Sequence, residues 1–149
     1  MSDDDPLDVE VVLLDLAART KAEVLQRLAE QAGVVLGRAA AEISRALADR
    51  ERLGSTGVGA EVALPHADVP GLARSLTLFA RPARPVEWDA IDDRPVGLIV
   101  AVLSPPLAER APSSHLARLA RLLRRADARD RLAAPSSDDE VRRIFADGG

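Results

Sequence analysis

His66 closes the run Gly57-Val58-Gly59-Ala60-Glu61-Val62-Ala63-Leu64-Pro65-His66 and is one of only two histidines in a chain without cysteine or tyrosine. Imidazole is nucleophilic and largely neutral near pH 7, and its bond to phosphorus stays reactive, so such a histidine suits phosphoryl transfer. That chemistry rests on positioning and charge neutralisation more than on covalent help. It wants a fixed ring, a cation beside it, hydroxyl or amide donors, and a shallow setting. Pro65 stiffens the backbone next to His66. Arg50 and Arg52 stand just ahead of Gly54-Ser55-Thr56-Gly57, whose hydroxyls and amides can meet phosphate oxygens. His115 falls in the predicted first turn of a later helix, where the dipole favours an anion. Taken singly, each feature has an ordinary reading: a packed histidine, a solvated helix-end arginine, a turn. Only their combination points to a site.

The elements that must carry these residues follow from hydrophobic spacing. Val9 to Leu14 reads as a short strand or extended lead-in. Thr20 and Glu23 form a capping box that opens a helix carrying Val24, Leu25, Leu28, Ala29 and Ala32, with Gly33 as its stop. Leu36, Ala40, Ile43 and Leu47 give a second helix ending near Arg50. The period then changes: Val62 and Leu64 alternate, as do Leu76, Leu78 and Ala80. Val96 to Leu103 is apolar throughout except for Gly97, the pattern of a strand buried on both faces. Asp92-Asp93-Arg94-Pro95 supplies turn chemistry before it, and Pro82 to Pro85 reads as a loop. Ser113 or Ser114 can cap a helix with Leu116, Leu119, Ala120 and Leu123. Ser137 and Glu140 make a second capping box ahead of Val141, Ile144 and Phe145. The expected fold class is α/β: one domain over residues 1–149 with flexible residues 1–7, and a mixed sheet covered by helices on both faces.

Composition excludes several classes. A chain of 149 residues with 47% apolar and 30% charged residues is globular. A net charge of −4 leaves no basic footprint for nucleic acid and no cationic face for a membrane. The acidic start Met-Ser-Asp-Asp-Asp-Pro is unlike a secretory signal, and the longest apolar run is too short to span a bilayer. A soluble cytoplasmic protein is expected. Val62 occupies the third-glycine position of a dinucleotide fingerprint, no Gly-Lys-Ser/Thr follows, and Ser55 is not in a nucleophile elbow. Two distant histidines without thiols make no zinc site, and no cofactor is called for.

Several segments resemble, in order and spacing, the fructose/mannitol-type enzyme IIA of the bacterial phosphotransferase system. Leu47-Ala-Asp-Arg50-Glu51-Arg-Leu-Gly54-Ser55-Thr56-Gly57-Val58-Gly59 is similar to the family's L-x-x-R-E-x-x-G-S-T-G-I-G, and Ala63-Leu64-Pro65-His66 to its A-I-P-H. Val86 to Val96 resembles its F-D-x-x-D-x-x-P-V stretch, and Ser114-His115-Leu116 the segment with its second histidine. The resemblance implies that His66 accepts a phosphoryl group from an HPr-like or NPr-like carrier. It implies that Arg50 stabilises the phosphoryl charge, that Ser55 or Thr56 donates to its oxygens, and that His115 lies beside His66 and assists. The motif and the freestanding chain look closest to the nitrogen-regulatory branch. A sugar-transport subunit that passes phosphate to a IIB protein, and an unphosphorylated docking module, are the alternatives.

Two departures bear on the choice. Glu61 and Ala67 stand where the family usually has glycine. A carboxylate facing His66 would repel phosphate. In a regular strand, Val62, Leu64 and His66 share one face and Glu61 the other, so Glu61 is expected to point away. Its remaining cost arises if the position needs positive φ.

Overall fold

The computed structural model describes residues 7–106, 115–134 and 136–148. Among these residues the order is β1 (Val11–Leu16), α1 (Lys21–Leu36), α2 (Ala40–Arg52), β2 (Gly57–Gly59), β3 (Val62–Ala63), β4 (His66–Asp68), β5 (Leu76–Pro82), β6 (Leu98–Ser104), α3 (His115–Arg124), α4 (Ala126–Ala133) and α5 (Asp138–Gly148). The sheet runs β1-β5-β6-β3-β2, with β4 also paired to β6. β1 is parallel to β5, β3 and β4 are parallel to β6, and β5 and β2 are antiparallel to their neighbours β6 and β3. The expected mixed sheet with helices on both faces is present.

β6 is the spine. All seven of its residues are buried, and alternate side chains feed two separate cores. Ile99, Ala101 and Leu103 join Leu28, Ile43 and Leu47 beneath α1 and α2. Leu98, Val100 and Val102 join Leu119, Leu122 and Phe145 beneath α3 and α5. Each large apolar side chain removed from water here contributes about 1.5–3 kcal/mol before entropy is counted. An uninterrupted apolar run is what two covered faces require. Phe79 of β5 meets Phe145 edge-on, with ring centroids 5.9 Å apart.

β3 and β4 lie end to end along the same side of β6, Val62 opposite Leu98 and His66 opposite Val102. Pro65 separates them because it has no amide proton to donate. Its carbonyl still accepts from Val102 N at 2.9 Å, so the register carries through the break.

The helix boundaries depart from expectation at one end. Thr20 caps α1 through Glu23 N at 3.1 Å, but the Glu23 carboxylate reaches Arg19 N rather than Thr20. Gly33 does not stop α1. It is buried inside the helix, and the left-handed Gly37 (φ 65°) ends it. Leu36 therefore belongs to α1, and α2 begins at Ala40. The reason is packing: a Cβ on Gly33 would lie 2.7 Å from the Arg38 carbonyl oxygen, so the turn between the helices closes onto a bare backbone. The strand at the start runs Val11–Leu16, later than Val9 to Leu14. α4 escapes the spacing analysis, being eight residues long with no side-chain hydrogen bond at its N-cap. Ser137 caps α5 through Glu140 N at 3.3 Å. The Ser113 or Ser114 cap and residues 1–6 of the N-terminal lead lie outside the described residues, whereas Leu7 is 1% exposed in the second core.

Replacing Gly33 by alanine gains about 1 kcal/mol of helix propensity. The contact with the Arg38 carbonyl outweighs that gain, so Gly33→Ala lowers the urea midpoint of unfolding; a midpoint at or above wild type would remove the packing explanation.

Candidate active site

His66 begins β4 at the open edge of the sheet and is half-buried. Its Nδ1 lies 2.8 Å from the Leu64 carbonyl oxygen. A carbonyl only accepts, so Nδ1 carries the proton and Nε2 keeps its lone pair. That carbonyl faces β2, where Leu64 N donates to the Thr56 carbonyl at 2.9 Å, and it is available because Thr56 N is taken by Glu51. The donor that Glu51 withdraws thus leaves the acceptor that sets the tautomer.

Arg50 reaches Nε2. Its Nε donates at 3.3 Å, and its Nη1 donates to the Gly54 carbonyl at 2.9 Å. The Arg50–Nε2 contact is long and weak, so an incoming electrophile displaces it cheaply. α2 belongs to the opposite layer, and Arg50 comes round the edge of β4 from the helix C-terminus. Arg52 pairs with Asp49 instead and stays exposed.

The loop after α2 is held from within. The Glu51 side chain is 8% exposed; its Oε2 accepts from Lys21 Nζ at 3.0 Å and Thr56 N at 2.9 Å. Its Oε1 accepts from Thr56 Oγ1 at 2.6 Å, and that hydroxyl accepts from Trp88 Nε1 at 3.1 Å. Ser55 Oγ donates to the Trp88 carbonyl at 2.7 Å and accepts from Gly57 N at 3.1 Å. The Lys21 ammonium also stands 5.5 Å from the Trp88 ring centre. Both hydroxyls expected at phosphate oxygens are therefore engaged inside the protein, and Thr56 is 3% exposed. Glu51, Lys21 and Trp88 form a supporting network that motif reading passed over. Its trace in the sequence is Glu51 next to Arg50, a charge that α2 turns toward the core.

His115 opens α3 over the sheet face shared by His66. Thr77, Val102 and His66 stand in one row across β5, β6 and β4, about 10 Å from first to last at the usual strand spacing. His115 Nε2 lies 2.7 Å from Thr77 Oγ1, at the far end of that row. Burial lowers the His115 pKa from its ordinary 6.5, and the Arg118 charge lowers it further, with Asp8 opposing. Arg118, 5% exposed, is a functional candidate that spacing alone did not single out. It lies three residues beyond His115 on α3, within an otherwise apolar stripe.

Glu61 is not in a strand. Ala60 and Glu61 have φ of 54° and 65°, the conformation of a two-residue turn that usually takes Asn-Gly. The turn is anchored from outside: Asp92 Oδ2 accepts from Ala60 N at 3.0 Å, and the Glu61 carbonyl accepts from Gly97 N and Leu98 N. The Glu61 carboxylate meets Arg94 at 3.1 Å. Glu61 sits near Leu98 and His66 opposite Val102, about 13 Å along β6 at the usual rise. Glu61 thus lies in a turn, not in the strand whose alternation would turn it away from His66, and the positive φ accounts for the family glycine. Ala67 turns its methyl into the first core, away from His66.

Residues 5–148 match the family model described as "Phosphoenolpyruvate-dependent sugar phosphotransferase system, EIIA 2". The chain belongs to this enzyme IIA family. This IIA protein is 36% identical over 137 residues to a nitrogen regulatory protein of Bradyrhizobium diazoefficiens, covering 92% of this chain and 90% of that one. It is 33% identical over 142 residues to a PTS system fructose-specific EIIA component of Haloferax volcanii, covering 93% and 91%. Its structure is similar to that of the nitrogen regulatory protein IIA-Ntr from Neisseria meningitidis, with TM-score 0.80, 33% identity and coverage of 91% and 92%. Among the described residues, no helix of the IIA chain is long and apolar enough to cross a membrane.

Thr56→Val leaves Glu51 Oε1 and Trp88 Nε1 without their partner and costs about 3 kcal/mol, read from urea unfolding; a loss under about 1 kcal/mol would mean water replaces the hydroxyl. The lowered His115 pKa gives a second expectation. Below pH 6.5 the unfolded chain binds a proton there that the folded chain does not, so stability falls as pH falls through that range. Glu10, whose pKa burial raises from 4.5, acts with the opposite sign at lower pH. His115→Gln flattens the stability profile between about pH 7 and 5.5; an unchanged slope would assign it to other groups.

Proposed function

We propose that the protein is a cytoplasmic phosphoryl carrier of the nitrogen-regulatory type, with His66 as acceptor. The observation that carries this is the pair of contacts at one ring: Nδ1–H held on the Leu64 carbonyl and an arginine at the bare Nε2. The Nε2 lone pair attacks phosphorus on a phosphohistidine of an HPr-like or NPr-like donor. The donor's N–P bond breaks, its imidazole keeps the electron pair, and the phosphoryl group moves to Nε2. Arg50 leaves the lone pair as the bond forms and turns its donors onto the phosphoryl oxygens. His115 supplies a further donor on the same face. The reaction needs no metal or cofactor from this chain.

Leu53 and Val58 are exposed, at 84% and 54%, on either side of the Gly54 to Gly57 loop. Apolar residues beside a reactive group are what a carrier protein can dock against. Phosphorylation then adds nearly two negative charges to that face and changes which partner fits, the basis for a regulatory switch. The similarity to both nitrogen-regulatory and fructose-specific relatives keeps one alternative, transfer to a IIB subunit.

Incubation with phosphoenolpyruvate, enzyme I and an HPr-type carrier should add one acid-labile phosphoryl group, seen by intact mass. His66→Ala abolishes the adduct, Arg50→Gln slows its formation about a hundredfold, and His115→Ala slows it while leaving the site modifiable. Labelling that survives His66→Ala would sink the assignment. Discharge of the adduct by a IIB protein at a rate matching loading would favour sugar transport.

A further inference from the structure

Thr77 is fully buried near the start of β5, on the side of the sheet that carries His66 and α3. Its backbone amide and carbonyl are both fastened to Glu10, the residue just before β1. Thr77 N donates to Glu10 Oε2 at 2.7 Å, and the Thr77 carbonyl accepts from Glu10 N at 2.9 Å. Its hydroxyl is 2.7 Å from His115 Nε2 and has no other partner among the described residues. His115 Nδ1 is buried and has no hydrogen-bond partner among the described residues.

Counting protons decides which atom donates. A neutral imidazole carries one N–H. Were it on Nε2, Thr77 would accept it, the threonine proton would lack an acceptor, and Nδ1 would be a buried lone pair without a donor. That arrangement orphans two groups. Were the proton on Nδ1, Thr77 would donate to Nε2, and only the Nδ1–H would be left waiting. Each orphaned buried group is costly, so the second arrangement wins. It also leaves a donor, not a lone pair, for an anion.

We propose that Thr77 is a positioning residue: its hydroxyl donates to His115 Nε2 and holds His115 as the Nδ1–H tautomer, so that Nδ1–H meets a phosphoryl oxygen at His66. The inference rests on His66 being the acceptor. The two nitrogens of an imidazole point to opposite sides of the ring, so anchoring Nε2 on β5 turns Nδ1 away from β5. On the same face of the sheet, His66 stands two strands across from Thr77. In the transfer the donor's N–P bond breaks as the His66 Nε2–P bond forms, and the His115 proton is shared with an equatorial oxygen without leaving the ring. Burial and the neighbouring Arg118 favour the neutral ring that this role needs.

The test is long-range proton–nitrogen correlation on protein carrying 15N-labelled histidine, unphosphorylated, at about pH 7.5. With two histidines in the chain, His66→Gln assigns the spectrum. Wild type should show His115 protonated at Nδ1. Thr77→Val, nearly the same shape without the hydroxyl, should give mixed tautomers, and Thr77→Ser should restore the wild-type pattern. Initial rates of loading from a phosphorylated HPr-type carrier should fall about tenfold in Thr77→Val and return to within about twofold in Thr77→Ser. A wild-type ring protonated at Nε2, or a Thr77→Val protein with unchanged tautomer and rate, overturns the proposal. A chain that no carrier loads would overturn the carrier reading, while the spectra still decide the tautomer lock.

Discussion

The Glu51 carboxylate is the interaction on which the active-site end depends. It is nearly buried and accepts from an ammonium, an amide and a hydroxyl. A buried charge is tolerable only with such a full complement of donors, and removing one is more costly than the net value of the pair. Through Lys21 it joins α1 to α2, and through Thr56 it closes the loop onto Trp88. Arg50 is the preceding residue on the same helix turn. The two side chains leave the helix about 100° apart, so with Glu51 held in the core Arg50 is directed to the edge of β4.

The second constraint is a missing hydrogen bond. Leu64 N pairs with the Thr56 carbonyl, but Thr56 N is held by Glu51, so the Leu64 carbonyl lacks its cross-strand donor and takes the His66 ring instead. The imidazole then has a fixed orientation and a fixed tautomer without any residue devoted to the purpose. The two histidines are held by different means. His66 is oriented by its own backbone two residues back, and His115 by a side chain from another strand. One is at the sheet edge and partly open to a partner, and the other is sunk where desolvation keeps it neutral.

The chain made its cores and the acceptor segment legible. β6 announced itself because a strand buried on both faces leaves no polar position, and Thr20 and Ser137 marked helix starts because a hydroxyl there meets a free amide. Gly33 misled because a glycine late in a helical pattern usually ends it. Here the next turn needs the absence of a Cβ, a steric fact between residues 33 and 38 that spacing does not show. α4 was missed because a short helix without a side-chain cap has too few turns to declare a period. Glu61 was assigned to a strand since nothing local distinguishes strand from turn when neither central residue is glycine. The anchors that permit the positive φ, Asp92 and the amides of Gly97 and Leu98, are thirty or more residues away.

By itself the sequence determined the elements, the two-sided sheet, and the residue types that can carry phosphoryl chemistry, because these depend on period and on motifs a few residues long. Only the tertiary structure decided what each polar group is for. Ser55 and Thr56 look like phosphate donors in line with the glycines, yet their hydroxyls are spent on Trp88 and Glu51. Thr77 looks like an ordinary strand residue, yet it meets His115 across 38 positions of chain. A hydroxyl has one proton and a ring nitrogen one lone pair, and which partner takes them depends on distances in space that local spacing does not carry.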